Sequence, residues 1–68
     1  MEEAEAVRKS EAIARDKGWS LDEYEAPKAE LKNGRWLVRF EGKRPAPGNH
    51  FVVEVADASG EATLWPGR

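Results

Sequence analysis

The chain lacks cysteine, carries one histidine in 68 residues, and has no apolar run near the roughly 20 residues a membrane helix requires. Each shortage excludes a class of function. Without cysteine there is no disulfide framework and no thiolate nucleophile, and His50 alone cannot build a metal site of the usual His/Cys type. No metal and no cofactor is therefore expected. The acidic start MEEAEAVRKSEA has no hydrophobic core region and does not resemble a secretory signal. A cytoplasmic location is the expectation, although an extracytoplasmic domain whose signal had been removed would read the same way.

Hydrophobic residues at 40% and charged residues at 35% describe one globular domain spanning 1–68 rather than a disordered or membrane chain. A chain this short buries only about 60% of its unfolded surface, so packing alone must hold it. Three tryptophans, two phenylalanines and one tyrosine supply that packing. Net charge is −2 but unevenly spread: residues 1–31 carry −4, residues 32–50 carry +4 and residues 51–68 carry −2. Locally confined basic charge argues against a nucleic-acid partner, which calls for an overall basic face.

From Glu2 to Lys17 the pattern is helical: Ala6, Val7, Ser10, Ile13 and Ala14 fall within an arc of about 120°. Such a narrow stripe of small residues lets a helix lie close on a sheet. Gly18 suits a left-handed helix end with Trp19 folding back, and Ser20-Leu21-Asp22-Glu23 matches a capping box for one further turn before Tyr24.

After Pro27 the period changes from about 3.6 to 2. Strands are expected at about 26–32, 35–41, 50–56 and 61–65. Asn33-Gly34 is a tight-hairpin signal that sets Lys32 opposite Arg35, Leu31 opposite Trp36, Ala29 opposite Val38 and Lys28 opposite Arg39. Leu31, Ala29, Trp36, Val38 and Phe40 then share the core face, joined by Phe51, Val53 and Val55. Asp57-Ala58-Ser59-Gly60 suits a type I turn followed by a bulge. That bulge leaves either Leu64 or Trp65 facing inward. The predicted fold class is α+β: one helix covering a face of a four-stranded antiparallel meander.

The helix with Ala12-Ile13-Ala14, the strand with Trp36 and Val38, and the run Phe51-Val52-Val53-Glu54-Val55-Ala56-Asp57-Ala58-Ser59-Gly60-Glu61 together resemble PepSY-like domains and the small nuclear-transport-factor-like immunity proteins. Ser59 stands where that hairpin pattern has threonine, and Ala62 where it has valine. The resemblance implies a cystatin-like fold and a binding or inhibitory role. It transfers no catalytic residue.

Catalysis is not expected. A base such as His50 needs an orienting partner and a nucleophile within reach, and Ser10, Ser20, Ser59 and Thr63 belong to the helix, caps and turns. The helix carboxylates have structural reasons to be there, and Gly42, Gly48 and Gly60 form no phosphate-binding pattern. Two surfaces remain. The connector 42–49 holds Lys43 and Arg44 beside Pro45 and Pro47, which would stiffen it into a basic finger or merely space two strands. The outward sheet face pairs Lys32 with Arg35 and Lys28 with Arg39, like charges set opposite each other, around Leu37 and Val52. Glu30, Glu41 and Glu54 interleave there and would neutralise part of it. Arg35, Leu37, Arg39, Lys43, Arg44 and Trp65 are the expected contact residues for an acidic protein partner, with the chain itself a monomer or weak homodimer. A regulatory module of a larger system, or an idealised domain without a natural partner, are the alternatives.

Overall fold

The computed structural model describes residues 1–44 and 49–67. Helix α1 runs Glu3–Asp16, a single 3₁₀ turn spans Leu21–Glu23, and four strands follow: β1 Lys28–Lys32, β2 Arg35–Glu41, β3 His50–Ala56 and β4 Ala62–Pro66. The strands form one antiparallel sheet in the order β1-β2-β3-β4, and α1 crosses all four on one face. This is the α+β arrangement read from the sequence. Among the described residues, no helix is long and apolar enough to cross a membrane.

The helix buries the small-residue stripe: Ala6, Ser10 and Ala14 are fully enclosed, with Val7 and Ile13 at their flanks. Ser10 is tolerated inside because its hydroxyl donates to the Ala6 carbonyl at 2.8 Å, one turn back. Termination follows from Gly18, whose φ of +88° a side chain rarely adopts. With the chain reversed there, Gly18 N–H donates to the Arg15 carbonyl and Trp19 N–H to the Ala14 carbonyl, both at 3.0 Å, which is the Schellman pattern. Trp19 is thereby folded back against the core.

Asn33 and Gly34 take φ values of 51° and 75°, as a two-residue hairpin turn of the favoured hand demands. The resulting register is the expected one throughout, including Lys28 opposite Arg39 and Lys32 opposite Arg35. Trp36, Val38, Phe40, Phe51, Val53 and Val55 accordingly form the buried face. Phe51 is the hub of an aromatic cluster, stacked on Phe40 at 4.4 Å, with Trp19 at 4.6 Å and Tyr24 edge-on at 5.1 Å. Burial, reinforced by the Glu23 carboxylate, raises the Tyr24 pKa above its ordinary value.

Two expectations need correction. Leu31 has core parity but is 51% exposed, because it lies at the turn end of an edge strand, outside the cluster packed beneath α1. Ser20 precedes the 3₁₀ turn as foreseen, yet its side chain makes no capping hydrogen bond. That turn is held by backbone bonds instead, Glu23 N–H to the Ser20 carbonyl and Tyr24 N–H to the Leu21 carbonyl, both at 3.1 Å.

Candidate functional site

Because side chains alternate across a strand, burying Trp36, Val38 and Phe40 commits Arg35, Leu37, Arg39 and Glu41 to the other face. The same parity on β3 sends His50, Val52, Glu54 and Ala56 outward. On β4 the bulge resolves the open choice: Gly60 takes φ +76°, Leu64 packs toward the core opposite Val53, and Trp65 stands outward opposite Val52 at 57% exposure.

The outer face therefore reads as cross-strand rows. Lys28, Arg39, Val52 and Trp65 make one; Glu30, Leu37, Glu54 and Thr63 make the next. Lys32, Arg35 and Ala56 lie at the hairpin end, and Glu41 opposes His50 at the other. A hollow of about 320 Å³ opens between β1, β2 and β3, lined by Lys28, Ala29, Glu30, Leu37, Arg39 and Val52. Its floor is apolar, formed by Leu37 and Val52, and Lys28 and Arg39 stand at its rim.

Charge on this face is only partly compensated. Arg35 is ion-paired with Glu54, whereas among the described residues Lys28, Lys32 and Arg39 have no carboxylate within salt-bridge distance. Two cationic groups directly opposed on neighbouring strands destabilise each other. Among the described residues, a basic pair without a carboxylate partner thus shares a row with an exposed indole, Val52 lying between them.

Of the expected contact residues, Arg39 and Trp65 come together in one row with Leu37 in the next. Arg35 is diverted into its own ion pair. Lys43 and Arg44 sit beyond the end of the sheet, past Glu41, and are exposed. The base of their connector is clamped: Gly42 N–H donates to the Asn49 carbonyl at 2.8 Å, Lys43 N–H to the Glu23 carbonyl at 2.9 Å, and Asn49 Nδ2 to the Arg44 carbonyl at 2.6 Å. The proposed stiffening by Pro45 and Pro47 lies outside the described residues. Lys28 and Val52 belong with the site although neither was named as a contact; the pairing set by Asn33-Gly34 already put Lys28 beside Arg39.

His50 is half-buried on the outer face, opposite Glu41, and its carbonyl accepts from Gly67 N–H at 2.8 Å. Among the described residues no cluster of three or more His, Asp or Glu side chains is placed to hold a metal ion. At the opposite end of the sheet Asp57 Oδ1 accepts from Trp36 Nε1 at 2.9 Å and lies 3.2 Å from the Met1 amine. The indole hydrogen bond and then the amine hold the Asp57 pKa below its ordinary value. The chain matches no protein-family model, no curated protein and no solved structure.

Proposed function

We propose that this chain is a non-catalytic binding domain that docks an acidic protein surface on the open face of its sheet, in the manner of an inhibitory or immunity-like protein. One observation carries the reading: Lys28 and Arg39 face each other without a carboxylate partner among the described residues, in the same row as Val52 and the exposed Trp65. A carboxylate on the partner would relieve the repulsion between the two cations, while apolar groups beside it would cover Leu37, Val52 and the indole. Arg44 and Lys43 extend the basic surface past the sheet end and would act mainly through encounter rate, being solvent-exposed.

Co-purification of a partner from the native host tests this. Wild-type chain should retain a partner that Arg39→Glu/Arg44→Glu and Trp65→Ala both lose; equal recovery with the charge-reversed chain counts decisively against the proposal. The partner's identity separates inhibition from the regulatory-module alternative, since a toxin supports the first and a peptidase or sensor the second. A hydrolase rate that disappears in His50→Ala would overturn the non-catalytic reading.

A further inference from the structure

The two edges of the sheet differ in a way the binding face does not explain. Strand β1 carries charge at Lys28, Glu30 and Lys32, the usual protection of an exposed edge. Strand β4, Ala62-Thr63-Leu64-Trp65-Pro66, carries none. Its free side also presents hydrogen-bonding groups in a definable order. Gly67 N–H bonded to the His50 carbonyl and Ala56 N–H bonded to the Glu61 carbonyl bracket the β3–β4 ladder and fix its phase. Thr63 and Trp65 thus spend their backbone groups on β3, and Ala62 and Leu64 direct theirs away from the sheet. Among the described residues no strand lies on that side.

We infer that β4 pairs with β4 of a second copy, antiparallel about a two-fold axis, to give a continuous eight-stranded sheet. The edge is self-complementary for this. With Leu64 on the axis, Leu64 N–H of each copy reaches the other's Leu64 carbonyl, and Ala62 N–H reaches the other's Pro66 carbonyl. Every outward N–H of the strand is then used, and Pro66, which has none to give, falls at the end of the ladder where its lack does not interrupt it. On the outer face Trp65 lies directly opposite Thr63 of the second copy, and the two indoles become diagonal neighbours within reach of each other. No charge of the strand is buried. Registers that set Ala62 opposite Leu64 place Trp65 against Glu61 instead and cover less of the indole. A pairing of five residues a side falls below the ~1,200 Å² of a standard interface, so the dimer is weak and concentration-dependent. It shares Trp65 with the proposed binding face but uses neither Lys28 nor Arg39.

Sedimentation equilibrium across a dilution series, with amide hydrogen exchange at low and high concentration, tests the inference. Average mass should rise from one chain toward two and level there, and the Ala62 and Leu64 amides should slow at least about tenfold as the dimer fills, while Thr63 and Trp65, already bonded to β3, change little. Thr63→Lys places a lysine opposite Glu54 within the chain, so it keeps the fold, but sets two like charges as diagonal neighbours across the dyad and should weaken association. Leu31→Lys on the β1 edge should leave it intact. A monomer at every concentration overturns the inference, including the case in which an extended strand of another protein adds to β4 instead. Mass that climbs past two chains, or association lost with Leu31→Lys and kept with Thr63→Lys, also overturns it, because each places the contact on β1.

Discussion

Phe51 and Val52 are adjacent in one strand, and the difference between them is the difference between the two faces of this molecule. Phe51 is wholly enclosed and touches the rings of Phe40, Trp19 and Tyr24. Val52, one pleat away, lies on the outer face between its row neighbours Arg39 and Trp65, only partly buried, and lines the hollow there. The inner face is chosen for packing: every position on β2 and β3 is aromatic or valine. Among the described residues the outer face has one ion pair, an opposed cation pair without a carboxylate partner and an exposed indole, and packing accounts for none of them. Substitutions on the inner face should therefore change stability and leave surface properties intact, and substitutions on the outer face should act mainly on surface properties.

The largest expected effect breaks the inner face at its hub. Phe51→Ala should cost about 3–5 kcal/mol, a large share of the stability available to so small a domain, while Val52→Ala should cost under about 1 kcal/mol. Urea unfolding of the two variants side by side measures the contrast. Equal losses would mean that the outer face is also a packed surface and would remove the basis for treating it as open.

Next in size is the clamp at the base of the 42–49 connector. A Cβ on Gly42 would overlap the Asn49 side chain, which is itself engaged with the Arg44 carbonyl. Gly42→Ala should destabilise by about 1–3 kcal/mol, and Asn49→Ala in the same chain should recover most of it, since the obstruction is a side chain and not backbone. The double-mutant cycle reads the coupling directly. Additive losses would place the strain elsewhere in the turn.

How much of this was legible beforehand depended on whether the controlling physics was local. The Asn33-Gly34 dipeptide sets its turn through two positive φ values, and once the turn is set every pair from Lys32–Arg35 to Lys28–Arg39 follows by counting, which is why the β1–β2 part of the outer-face rows could be written from the sequence, whereas their continuation onto β3 and β4 could not. Gly18 likewise encodes a helix end in one residue. Leu31 failed because its exposure depends on how far α1 reaches over an edge strand, a distance no periodicity reports. Trp65 could not be assigned because one residue of bulge at Gly60 inverts the parity of everything after it. The bonds from Trp36 to Asp57 and from Lys43 to Glu23 join segments about twenty residues apart and carry no sequence signal of their own. Of the contact residues, Arg39, Leu37 and Trp65 share a surface. Arg35 does not contribute freely, because its partner Glu54 lies diagonally across the ladder, a relation visible only in the folded sheet.

Asp57 gives the comparison a pH dependence. Its carboxylate ties the indole of Trp36 to the hairpin end, and its pKa is depressed by that bond and by the nearby amine. A depressed pKa stabilises the fold at pH above the unfolded value of about 4 and loses that contribution as pH falls through the lower folded value. Wild-type chain and Asp57→Asn should therefore differ in urea midpoint at pH 6 and converge toward pH 2. A gap that persists at pH 2 would show that Asp57 acts through shape and not charge.

The smallest effect is the most telling about the outer face. Lys28→Glu replaces a repulsive cross-strand pair with an attractive one to Arg39, and it should raise stability by a few tenths to about 1 kcal/mol, visible as a higher urea midpoint that shrinks with added salt. Glu30, two residues along the same strand, limits the gain by repelling the new carboxylate. The sign matters more than the size. A substitution that stabilises the chain and weakens capture of an acidic partner would show that the opposed cations are kept at a cost to the fold, for the sake of what they bind. A loss of stability would mean that Lys28 contributes to the fold through its aliphatic stem over Leu37 and Val52, and the row would then belong to packing after all.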